Sequence, residues 1–134
     1  MGTLNQKANI LTVMTTVLVV EDSPTQRELI TDLLKRIGLK VMVATDGMEA
    51  LEQVQLSCPD LVVLDVVMPR MNGYEVCRRL KTDPKTQNVP VVMCPSKGEE
   101  FDRYWGMKQG ADAYIVKPFQ PKELLVTVKQ LLRG

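Results

Sequence analysis

Five short runs of β-branched and aliphatic residues recur along this chain at intervals of about 24 residues, each followed by helical punctuation. The runs are 17–20, 40–44, 61–64, 89–94 and 113–116. The first and third are almost continuously apolar, which is how a strand buried on both faces reads. Helix signals fill the gaps. Ser23 caps a helix whose first position is Pro24, and Gly38 closes it in the left-handed conformation. Asp46-Gly-Met-Glu49 has the form of a capping box opening a second helix to about Ser57. Asn72-Gly73 precedes a third helix over 74–81, Gly98 precedes a fourth ending at Gly110, and Pro121 starts a fifth running to Leu132. Five strand–helix units of this kind require parallel strands joined by helical crossovers.

For five such units the expected architecture is α/β: a flavodoxin-like (βα)5 three-layer sandwich around a parallel five-stranded sheet in the order 2-1-3-4-5. The length of 134 residues suits one domain, placed at 16–134, with residues 1–15 expected to form a flexible N-terminal extension. Hydrophobic residues at 45% and charged residues at 25% exclude a disordered chain. A net charge of +1 offers no bulk attraction to nucleic acid or to an anionic membrane, so function must come from a local site. No apolar run approaches the roughly 20 residues of a membrane span, no secretory leader is evident, and a cytoplasmic protein is expected. Cys58, Cys77 and Cys94 form neither a disulfide framework nor a zinc spacing, and read as reduced packing thiols. The absence of histidine removes imidazole bases and most zinc sites.

In an open parallel sheet, ligands bind beyond the carboxyl ends of the strands, where the strand order reverses. Here that place lies between the first and third strands. The first ends in Glu21-Asp22 and the third in Asp65, while the fifth ends in Lys117-Pro118. Each feature alone has a plain structural reading as a helix-start charge, a turn residue or a solvated lysine. Their joint placement is harder to obtain by accident. Three carboxylates in one crevice repel, and a divalent cation relieves them; hard oxygen ligands with room for water favour Mg²⁺. A cation, a carboxylate nucleophile and a lysine form a minimal set for phosphoryl transfer onto an aspartate.

Three segments carry a specific resemblance: Val17-Leu-Val-Val-Glu-Asp22, Leu64-Asp-Val-Val-Met-Pro-Arg-Met-Asn-Gly73 and Gly110-Ala-Asp-Ala-Tyr-Ile-Val-Lys-Pro-Phe119. Together they resemble response-regulator receiver domains of the CheY-like superfamily over residues 16–134. The resemblance implies Asp65 as phosphoacceptor, Glu21, Asp22 and Asp65 with the main-chain carbonyl of Val67 as Mg²⁺ ligands, and Lys117 as partner of the phosphoryl oxygens. It also implies a cis bond at Lys117-Pro118 and Tyr114 as the aromatic whose rotation reports activation. The stretch 97–109 is similar to stand-alone receivers of twitching-motility and phototaxis systems. Phe101 and Trp105 there share one helix face, with Tyr104 beside them.

One position departs from the family pattern. Pro95 stands where a Ser or Thr is usual, and proline has neither a hydroxyl nor an amide hydrogen. Ser96 follows, but is expected to point the other way. The expected function is a single-domain response regulator rather than an enzyme, taking phosphate on Asp65 from a histidine kinase or a histidine phosphotransfer protein. It would signal to a downstream protein through a face of helix 4, strand 5 and helix 5 bearing Tyr104 and Tyr114. No effector domain, helix-turn-helix or basic arm is seen, and no nucleic acid or membrane partner is expected. The alternative is a degenerate receiver that acts by docking without phosphorylation. A flavin carrier of the same fold fits less well, because Glu21-Asp22 would repel a bare phosphate. An aspartyl-phosphatase would want a second Asp at the position of Val67.

Overall fold

A computed structural model describes residues 15–96 and 108–133. Five strands, β1 (Thr16–Val20), β2 (Lys40–Ala44), β3 (Leu61–Asp65), β4 (Val91–Cys94) and β5 (Ala113–Tyr114), form one sheet in the order β2-β1-β3-β4-β5. All four pairings are parallel. Four described helices cover the two faces: α1 (Pro24–Arg36), α2 (Gly47–Leu56), α3 (Gly73–Thr82) and α4 (Pro121–Arg133). The last is the fifth helix expected from sequence. The expected fourth lies outside the described residues except at its end, where Gly110 has φ +97°. The proposed extension also lies outside them, apart from Thr15.

Alternation in the strands divides the interior into two apolar layers. Val17 and Val19 of β1, Leu61 and Val63 of β3, and Val92 and Cys94 of β4 face Ile30 and Leu34 of α1 and Leu124 and Val128 of α4. Leu18, Val20, Val62, Leu64, Val91 and Met93 face Ala50 and Val54 of α2 and Val76, Cys77 and Leu80 of α3. The central strands β1 and β3 are therefore buried on both sides, as continuous apolar runs require.

The helix ends follow the sequence signals. Ser23 accepts the amide of Gln26, and Pro24 takes the first helical position of α1, where an amide hydrogen is not needed. Gly38, at φ +86°, donates to the Lys35 carbonyl while Leu39 donates to that of Leu34. This is the paired Schellman closure. Asp46 caps α2 by accepting from the Glu49 amide, but the Glu49 carboxylate takes the Thr45 hydroxyl and the Gln53 amide rather than closing the box. Asn72 caps α3 through the Glu75 amide.

Two strands are shorter than the pattern suggests. β4 begins at Val91 because the Val89 amide turns back to the Thr86 carbonyl and Pro90 has no amide hydrogen. β5 stops at Tyr114 although Ile115 donates to Met93 and Lys117 to Pro95. The missing rung would run from the amide of residue 95 to the carbonyl of Ile115, and proline cannot supply it.

Candidate functional site

Each strand delivers its terminal side chain by the same alternation that sorts the core. Counting two residues on from Val19, Val63 and Ile115 places Glu21, Asp65 and Lys117 on the face of the sheet that carries α1 and α4. They meet at the carboxyl edge of β1 and β3, between which the strand order reverses. One carboxylate oxygen from each of Glu21, Asp22 and Asp65 lies within 4.8 Å of the others. Glu21 and Asp65 are buried, while Asp22 is exposed. The crevice they share has a volume of about 540 Å³ and is open to solvent.

Lys117 threads between the acids. Its Nζ donates to Glu21 Oε1 at 2.6 Å and lies 3.4 Å from Asp65 Oδ1. The Ser23 amide donates to the other Glu21 oxygen, so that carboxylate is held from both sides. Arg27, one turn into α1, donates to the Glu21 carbonyl and fixes the β1 end. Asp65 accepts from the Val66 amide at 2.8 Å. The Lys117-Pro118 bond is cis, as the resemblance implies.

These contacts set the charges. Burial, and after it the charge of Glu21, lift the Asp65 carboxyl to about 7, with Lys117 pulling the other way. Burial works against the Lys117 ammonium, but its hydrogen bond to Glu21 and the charge of Asp65 outweigh this and raise its pKa. The lysine stays charged, and Asp65 carries the surplus repulsion. A divalent cation fits these residues: three hard oxygen donors converge, and the group with the raised pKa is the one a metal would return to its ionised form. Val67 also lines the crevice, on the loop that leaves β3.

Some contributors were not legible as site residues. Gln26, Leu29, Pro118 and Phe119 form part of the wall. Gly73 has a steric reason to be glycine: a Cβ there would lie 2.3 Å from the Asp65 carbonyl oxygen and 2.9 Å from the Val66 Cα. Its amide also donates to the Val66 carbonyl at 2.7 Å, so α3 is pinned against the β3 end. Ser96 is a correction. It was expected to point away, yet it lines the crevice, since it shares the face of Cys94, whose register partner is Asp65. Pro95 is buried, and alternation gives it the opposite face with Met93, against which Tyr114 packs. Tyr114 is half-buried in β5. Tyr104, Phe101 and Trp105 lie outside the described residues.

The thiols take no part in the site. Cys77 and Cys94 are buried, and burial raises their pKa values to about 11 and about 12. Cys58 is exposed rather than buried, and desolvation with neighbouring acids raises its pKa too.

Comparisons with known proteins agree on one family. The response regulator receiver domain family matches residues 17–129. Protein PilH of Pseudomonas aeruginosa is 36% identical over 121 residues, covering 90% of this chain and 100% of that protein. The DNA-binding response regulator MtrA of Mycolicibacterium smegmatis is 44% identical over 117 residues, 87% of this chain and 50% of that protein. The chain thus spans about half the length of several curated relatives it matches. Among solved structures, a signal receiver domain of a histidine kinase from Syntrophus aciditrophicus superposes with a TM-score of 0.84 at 38% identity, covering 90% and 91% of the two chains. The chemotaxis response regulator CheY4 of Vibrio cholerae gives 0.81 at 32% identity, covering 88% and 98%.

Proposed function

Because this chain belongs to the response regulator receiver domain family of two-component systems, we propose that it accepts a phosphoryl group on Asp65 and signals by protein–protein contact. The observation that carries this reading is the buried Asp65 carboxylate at the carboxyl end of β3, 3.4 Å from the Lys117 ammonium and within 4.8 Å of Glu21 and Asp22. The donor would be a phosphohistidine on a histidine kinase or a histidine phosphotransfer protein. In the transfer the P–N bond to the imidazole breaks and a P–O bond to an Asp65 oxygen forms, while the imidazole keeps the electron pair. The proposed receiver unit is residues 16–134, and no described helix is long and apolar enough to cross a membrane.

The residues divide the work. Asp65 is the nucleophile and must be ionised to attack. Lys117, already charged and aimed at Asp65, neutralises an incoming phosphoryl oxygen without moving far. Glu21 holds Lys117 in place, and Asp22, exposed beside them, is free of burial and reaches toward solvent. Bound Mg²⁺, held by Asp22, Asp65, Glu21 and the Val67 carbonyl, would supply charge neutralisation to the transferring group. The test is incubation with acetyl phosphate, with and without Mg²⁺, followed by mass spectrometry. Acid-labile label should appear on wild type only with Mg²⁺, and Asp65→Asn should abolish it. Equal label on both proteins would end the assignment.

Pro95 favours a second reading, a receiver that docks without a phosphorylation switch. It is buried and interrupts the ladder between β4 and β5 next to Tyr114. Pro95→Thr should enlarge the beryllofluoride-induced NMR shift at Tyr114 while leaving Asp65 labelling in place. A full shift in wild type, unchanged by the substitution, would remove this second reading.

A further inference from the structure

Ser96 occupies an unusual place for a residue beyond the end of its strand. Beyond the break at Pro95 the parallel pairing resumes, with Ser96 the bridge partner of Lys117. Register partners in a parallel pair project their side chains on the same face. Lys117 is directed at Asp65 and Glu21, and Ser96 lines the same crevice as all three. The proline one residue earlier fixes its own φ and gives up an amide, yet the Lys117 amide still reaches the Pro95 carbonyl at 2.7 Å, which keeps the Ser96–Lys117 register.

A phosphoryl group on Asp65 brings three terminal oxygens into a crevice whose described cationic wall residue is Lys117. One ammonium cannot face every oxygen, so a neutral donor beside it has work to do. We propose that the Ser96 hydroxyl donates a hydrogen bond to a terminal oxygen of the phosphoryl group on Asp65, acting as a positioning residue next to Lys117. This rests on Asp65 as phosphoacceptor. The serine Oγ–H can rotate to donate outward, and its place on the Asp65 face requires no reversal of the strand. Pro95 then costs the bound state no hydroxyl, because the chain supplies one a residue later.

The test uses the full chain with Mg²⁺ and beryllofluoride, which occupies an aspartate as a phosphoryl stand-in. Ser96→Ala should weaken beryllofluoride binding about tenfold or more, the loss expected for one hydrogen bond to a charged oxygen. Ser96→Thr, which restores the hydroxyl, should recover most of it. Calorimetric Mg²⁺ affinity without beryllofluoride should be the same in all three proteins, a quantity that general damage to the crevice would shift. Unchanged beryllofluoride affinity in Ser96→Ala, with wild type binding normally, overturns the role of Ser96 and leaves Asp65 standing. Equal losses of Mg²⁺ and beryllofluoride affinity also overturn it, as do losses that Ser96→Thr fails to repair. A wild type that neither binds beryllofluoride nor takes acid-labile label overturns both assignments.

Discussion

A carboxyl group lifted to about 7 makes Asp65 the pH-sensitive atom of the site, and the sign of its effect on stability follows from linkage. Unfolded, the same group titrates near the ordinary aspartate value of 3.8. Between these values the folded chain holds a proton that the unfolded chain has released, so stability from this group is full below about 4 and is lost as pH rises through 7. Asp65→Asn removes the charge without the proton. In metal-free buffer the variant should melt higher than wild type at pH 8, by on the order of 1–2 kcal/mol, and the gap should close toward pH 4. Saturating Mg²⁺ should narrow the gap at pH 8, because the ion stabilises only the ionised wild type. Thermal melts across that range check it. A gap that widens as pH falls would contradict the assignment of the surplus repulsion to Asp65.

The elements explain why that carboxylate is held so firmly. α3 begins against the back of β3, and Gly73 leaves no room for a side chain between them. Gly73→Ala should therefore cost about 1–3 kcal/mol, as overpacking does, despite the better helix propensity of alanine. It should also slow labelling of Asp65, since the carbonyl it strikes belongs to that residue. A variant that labels at the wild-type rate would show that the β3 end tolerates the shift. How much of this was legible in the sequence varies by kind. Strand order, the helix caps at Ser23, Asp46 and Asn72, and the meeting of Glu21, Asp65 and Lys117 follow from periodicity and topology, which are properties of whole segments. The contact at Gly73 depends on a long-range approach that no local pattern encodes. Ser96 is a different case: counting by two from Cys94 would have placed it correctly. The early end of β5 was also within reach, because Pro95 lacks the donor that the next rung needs.

At the scale of the molecule, the sheet separates two apolar half-cores, and the candidate site belongs to one of them. Glu21, Asp65 and Lys117 continue the rows of side chains that pack on α1 and α4, whereas α2 and α3 pack on the reverse. The two halves are therefore unequal in what they transmit. A cavity beneath α4 loosens the floor on which the acids stand, and a cavity of the same size beneath α3 loosens the far side of the wall. Leu124→Ala and Leu80→Ala, both truncating buried leucines, should each cost about 2–5 kcal/mol. Only Leu124→Ala should weaken Mg²⁺ binding measurably by calorimetry; equal loss in both would show that the sheet does not insulate. The alternation that sorted these side chains thus gives the molecule a handed interior, a chemical side and a scaffolding side. Mutations that are equivalent in a stability assay should fall into two classes in a binding assay, divided by which of the two apolar layers the residue faces.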